Sequence, residues 1–115
     1  MLFQQNVWDI YYRIAPPTKR DLDYSNKIRY LRQKLLNASE NRVLGDNKMT
    51  SATLRKIEKS ETGVSQKNIE SILRFINREL SFLDLPELRT QEDIKELFLP
   101  MDENQLSDKA ISPNR

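Results

Sequence analysis

Apolar residues recur along this chain at helical spacing, and no segment alternates as a strand would. In the first stretch Phe3, Val7, Ile10, Tyr11 and Ile14 stand at i, i+4, i+7, i+8 and i+11, the stripe of an amphipathic helix. The stripe is read as core, with a dimer seam as the alternative, and Trp8 lies beside it as an additional anchor. Pro16-Pro17 ends the helix, because proline lacks the amide donor and pushes its predecessor out of the helical region.

A second helix is expected over 25–36, capped by Asp23 or Ser25. Ile28, Leu31 and Leu35 would be buried, with Lys27, Arg29, Arg32 and Lys34 over the remainder. Ser39 caps a short helix whose Val43 and Leu44 turn inward. Thr50 caps another, Ser51 to Ser60, with Leu54 and Ile57 inside and Arg55, Lys56 and Lys59 outside. Thr62-Gly63 breaks the chain and Ser65 recaps it. Ile69, Ile72, Leu73, Ile76 and Leu80 then form the most regular stripe in the sequence. Phe82, Leu83 and Leu85, before Pro86, are expected to cover an edge of the core. Thr90 to Leu99 forms a last short helix with Ile94, Leu97 and Phe98 inward. Pro100 ends order, and the polar residues from Met101 onward are expected to be mobile. The fold class is therefore all-α: an N-terminal amphipathic helix over 1–15, a central domain over 23–85, a short C-terminal helix over 86–99 and a tail over 100–115.

At 115 residues the chain fits one domain with polar ends. It has neither Cys nor His, which excludes disulfides, thiol nucleophiles, imidazole bases and Cys/His zinc sites. Two glycines, Gly45 and Gly63, cannot build the glycine-rich loops that cradle nucleotide phosphates. Glu92-Asp93 and Asp102-Glu103 are adjacent acid pairs, but neighbours along a helix point apart, so they read as solvated surface. Neither an enzyme, a metal nor a cofactor is expected. No apolar run reaches the roughly 20 residues of a membrane span, and the start lacks the basic region of a signal peptide. A cytoplasmic location with no membrane partner is expected.

The net charge of +2 is divided unevenly. Thr18 to Ser60 holds 11 basic residues against 5 acids, whereas Glu79 to Arg115 holds 4 basic residues against 9 acids. A basic middle suggests an anionic partner, and an acidic end a regulatory or solvating role. A merely solvated face is the competing explanation.

From Ile28 to Leu80 the order of residue types resembles the helix-turn-helix family of phage lambda repressor and Cro, the xenobiotic-response-element type. Met49-Thr50-Ser51-Ala52-Thr53-Leu54-Arg55-Lys56-Ile57-Glu58-Lys59-Ser60 is similar to that family's apolar residue, cap, recognition helix, Ile-Glu pair and turn. The likeness continues through Val64-Ser65 and Asn68-Ile69-Glu70-Ser71-Ile72. Upstream, Ile28-Arg29-Tyr30-Leu31-Arg32 resembles the first helix, joined to the second with about one extra residue around Leu36.

The resemblance implies a compact lambda-repressor-like domain with an extra N-terminal helix. Its function would be that of a sequence-specific DNA-binding transcriptional regulator, a repressor for instance, acting on double-stranded DNA as a homodimer. By family position Ser51, Ala52, Arg55 and Lys56 would face bases, and Asn41, Arg42, Thr50 and Lys59 would lie nearer the phosphates. Arg55 or Lys56 would donate to guanine, Ser51 would serve either base type, and Ala52 would touch a thymine methyl group. Arg32 and Glu58 would form a structural ion pair. Three residues depart from the pattern: Glu40 stands where Gln is common near phosphate, Asn47 replaces an apolar core residue, and Lys48 replaces a turn glycine. They keep a second reading open, a protein-interaction module such as a phage or mobile-element antagonist that retains the fold but binds a protein.

Overall fold

The structure, a computed structural model, describes residues 6–47 and 49–106. Phe3, Lys48 and the expected tail residues 107–115 lie outside them. The described chain is all-helical, with six helices and no strand.

The first helix, α1 (Val7–Ile14), starts where the Asn6 side chain accepts from the Trp8 amide at 2.8 Å and stops at Ala15 before the two prolines. It keeps Val7 and Tyr11 of the expected stripe against the core but is rotated toward Trp8. Trp8 and Tyr11 are buried, Ile10 is half-buried and Ile14 is 55 % exposed. The aromatic face wins because it brings more apolar area to the core, while its polar tips find carbonyl acceptors there. Trp8 Nε1 donates to the Asp93 carbonyl at 3.1 Å, and the Tyr11 hydroxyl donates to that of Pro86. The Trp8 and Tyr11 rings meet edge to face at 5.2 Å, and Tyr12 lies between Trp8 and Tyr30. Burial pushes all three tyrosine hydroxyls above their ordinary range, with nearby carboxylates adding to the effect.

After a 3₁₀ turn (Lys19–Asp23), the helix α2 begins with an α-helical turn, Ile28–Tyr30, and continues as a π turn, Leu31–Leu35. The side chain serving its first turn is Asn26, whose Oδ1 accepts from the Ile28 amide at 3.0 Å, and neither Asp23 nor Ser25. In the π turn the Leu36 amide reaches the Leu31 carbonyl at 2.8 Å, five residues back. Such a turn holds one residue more than an α turn. The π turn accommodates that residue inside the helix while Leu31, Arg32 and Leu35 stay buried.

Ser39 starts α3 (Glu40–Asn47), its Oγ accepting from the Arg42 amide at 3.2 Å, with Val43 buried and Leu44 half-buried. Thr50 caps α4 (Ser51–Glu58), whose Leu54 and Ile57 are buried. Gly63, at φ 88°, makes the left-handed turn that leads to Ser65, the cap of α5 (Gln66–Phe82). Helix α3 packs against both α4 and α5, and α2 against α4.

The end of α5 differs from expectation. Asp84 adopts φ 58°, and the Leu85 amide bonds back to the Leu80 carbonyl at 2.9 Å. That reversal leaves Phe82 71 % and Leu83 51 % exposed instead of covering the core, whereas Leu85 packs half-buried against it as expected. Leu88 fills the place, held by a double hydrogen bond in which its amide donates to Asn77 Oδ1 at 2.7 Å and Asn77 Nδ2 donates to its carbonyl at 3.1 Å. Thr90 then caps α6 (Gln91–Leu97), which buries Leu97.

Order also continues past Pro100. Met101 and Leu106 are buried around a 3₁₀ turn (Glu103–Gln105) capped by Asp102, so the expected mobile tail does not begin at 100. Lys27, expected on a solvated face, is buried as well. Its Nζ donates to the carbonyls of Glu96, Leu99 and Pro100 at 3.0–3.2 Å and pairs with the Glu96 carboxylate at 2.7 Å. Beside it, Asn26 Nδ2 donates to the Ile57 carbonyl at 2.7 Å and to Ser60 Oγ at 2.9 Å. This dipeptide therefore holds the C-terminal ends of both α4 and α6. Lys27→Met keeps the volume but strands the carbonyls, and is expected to cost about 2 kcal/mol in urea unfolding.

Candidate nucleic-acid interface

Helix α4 buries Leu54, Ile57 and Glu58, and that choice fixes what it presents outward. Ala52, Arg55, Lys56 and Lys59 stand at i, i+3, i+4 and i+7 and all are exposed, forming one stripe from the start of α4 to just past its end. Ser51 and Thr53 are half-buried beside it. The first turn carries only small side chains. Thr50 is exposed, but its hydroxyl oxygen is occupied by the helix, accepting from the Thr53 amide at 3.1 Å and meeting Thr53 Oγ1 at 3.0 Å. The four residues expected to read bases thus lie on or beside one outward face.

The expected phosphate contacts do not form such a group. Asn41 is exposed near the start of α3 and Lys59 just past the end of α4. Arg42 is turned onto α5, where its Nη2 meets Glu79 Oε1 at 2.5 Å. Glu79 has a side chain only 7 % exposed, so this contact neutralises a carboxylate that the core has largely desolvated. The sequence reading missed Glu79, although an acid at i+3 from Ile76 and i+7 from Ile72, inside the buried stripe, was a visible signal.

Arg32 and Glu58 are joined at 2.6 Å between Nε and Oε2 and at 3.4 Å between Nη2 and Oε1, with side chains 6 % and 4 % exposed. Arg32 Nη1 also donates to the Ala38 carbonyl at 3.0 Å. This one side chain ties the π turn of α2 to the last turn of α4 and to the chain entering α3, and thereby sets how α4 sits.

The basic middle of the sequence is less free than its count suggests. Lys27, Arg32, Lys34 and Arg42 pair with Glu96, Glu58, Asp21 and Glu79. On α4, Arg55 Nε stands 3.7 Å from Glu40 Oε2, with the arginine 63 % and the glutamate 32 % exposed. Asn47, the polar residue at an expected apolar position, is satisfied: Nδ2 donates to the Val43 carbonyl at 2.8 Å, and Oδ1 accepts from Ser71 Oγ at 3.0 Å, linking α3 to α5.

Among the described residues, no group of three or more acids is placed to hold a metal ion, and no helix is long and apolar enough to cross a membrane. Comparison of the chain with protein-family models, with curated proteins and with solved structures finds no match.

Proposed function

We propose that the chain is a sequence-specific DNA-binding regulator that lays the start of α4 in the major groove of duplex DNA. The outward stripe of α4 carries the reading: small at Ala52, with Ser51 beside it, and basic at Arg55, Lys56 and Lys59. A major groove about 12 Å wide admits a helix end without bulky side chains, and arginine or lysine one to two turns in reaches guanine O6 and N7. Thr50, Asn41 and Lys59 take the backbone role, while Arg42 contributes there only with the part of its guanidinium that Glu79 leaves open. Two copies bound as a homodimer would place their α4 helices in successive grooves about 34 Å apart.

A second reading, a protein-binding module, is favoured by Phe82 and Leu83, adjacent and exposed at the end of α5. Selection of the purified protein on random duplexes, with retesting across salt, separates the two. Enrichment of a site is expected. Lys59→Ala would then weaken all duplexes alike and flatten the salt slope by about 0.9, whereas Lys56→Ala would relax the preference at one base pair. Absence of enrichment, with weak binding indifferent to both substitutions, overturns the DNA reading.

A further inference from the structure

We infer that Glu40 is a positioning residue for base recognition: its charge draws the Nε side of Arg55 toward α3 and leaves the two terminal guanidinium nitrogens to meet a guanine. The inference rests on the DNA-binding reading above. Its starting point is a conflict, because a carboxylate at the first turn of α3 beside the basic stripe of α4 repels a phosphate backbone and lowers affinity for every duplex. Where Glu40 stands resolves the conflict. Its Oε2 lies 3.7 Å from Arg55 Nε, beyond hydrogen-bond reach, so the attraction is coulombic and acts on the Nε side of the guanidinium. The Nη1 and Nη2 groups are left to donate side by side, the arrangement that matches guanine O6 and N7.

A long, exposed arginine without that contact samples many rotamers and meets phosphates as readily as bases. With it, the side chain loses little freedom on meeting a guanine and gains little from a phosphate, since Glu40 already offsets part of its charge. The pair therefore exchanges non-specific affinity for discrimination at one base pair. The separation and exposure make this a weaker pair than the tight, buried Arg32–Glu58, so it biases the arginine toward one side without locking it.

Two substitutions separate charge from position. Glu40→Gln removes the repulsion and the anchor together, and is expected to raise affinity for random-sequence duplex about 3-fold or more. It should also lower the preference for guanine over other bases at one position of the selected site about 5-fold or more. Glu40→Asp keeps the charge but withdraws it by one methylene. It should relax the same base preference and leave random-duplex affinity near the parent value. Circular dichroism of both variants should match the parent, since Arg55 is exposed and Glu40 only half-buried. Parent-like base preference in both variants, with the parent still selecting a site, overturns the role of Glu40 alone. A parent protein that selects no site overturns the inference together with the DNA-binding reading.

Discussion

Arg32→Ala is expected to lower the unfolding free energy by about 3–5 kcal/mol, the range for removing one partner of a buried ion pair. The Glu58 side chain is 4 % exposed, so water cannot replace the guanidinium that stands 2.6 Å away. The Ala38 carbonyl loses its donor as well. Against a total stability of about 5–15 kcal/mol for a domain of this kind, such a loss leaves a marginal fold. Urea unfolding followed by circular dichroism checks it: the midpoint should fall with the slope unchanged. Arg32→Met combined with Glu58→Leu should recover most of the loss, because no charge is then stranded. A double variant as unstable as Arg32→Ala would show that the bridge between the π turn, α3 and α4 matters more than the charge it neutralises.

How much of this was legible in the sequence depended on where each residue's partner lay. Helices α3, α4, α5 and α6 each begin at a residue named from sequence, Ser39, Thr50, Ser65 or Thr90, because a cap and its amide are three residues apart and local chemistry decides. In α1 the count of apolar positions gave Val7, Ile10, Tyr11 and Ile14, of which Val7 and Tyr11 face the core, yet the helix is rotated to bury Trp8 and leave Ile14 exposed. The acceptors that reward those rings, on Pro86 and Asp93, are some 75 to 85 residues away in sequence. Lys27 was equally opaque, since nothing near it announces three carbonyls at the end of α6. The segment from Met101 to Leu106 reads as polar chain, and only the burial of its two apolar residues gives it a place.

Charge arithmetic has the same blind spot. Eleven basic residues between Thr18 and Ser60 look like one field, but ion pairs take Lys27, Arg32, Lys34 and Arg42 out of it. What survives on the outside of α4 is the part that helical spacing could place, because Leu54 and Ile57 fix the buried face and so its opposite. Glu40 stood out as a misfit in sequence. Its contact with Arg55 needed α3 and α4 side by side.

Trp8→Ala is expected to cost about 3–5 kcal/mol, as for large aromatic deletions in cores. Trp8 is 2 % exposed, donates to the Asp93 carbonyl, touches Tyr11 and Tyr12, and has Lys27 Nζ 5.7 Å from its ring centre. Its loss therefore reaches α1, α6 and the Asn26-Lys27 junction at once. Because Asn26 grips the end of α4 while Lys27 grips the end of α6, the damage should spread through the whole chain rather than release α1 and α6 alone. A single cooperative transition at lower urea, read by circular dichroism since the chain's one tryptophan is gone, is the expected result. Trp8→Phe, which keeps a ring and loses the donor, should cost less and still unfold in one step. Two separated transitions in Trp8→Ala, with amides of α4 and α5 keeping their exchange protection while those of α6 lose it, would make the α1–α6 layer a unit that opens independently of α4.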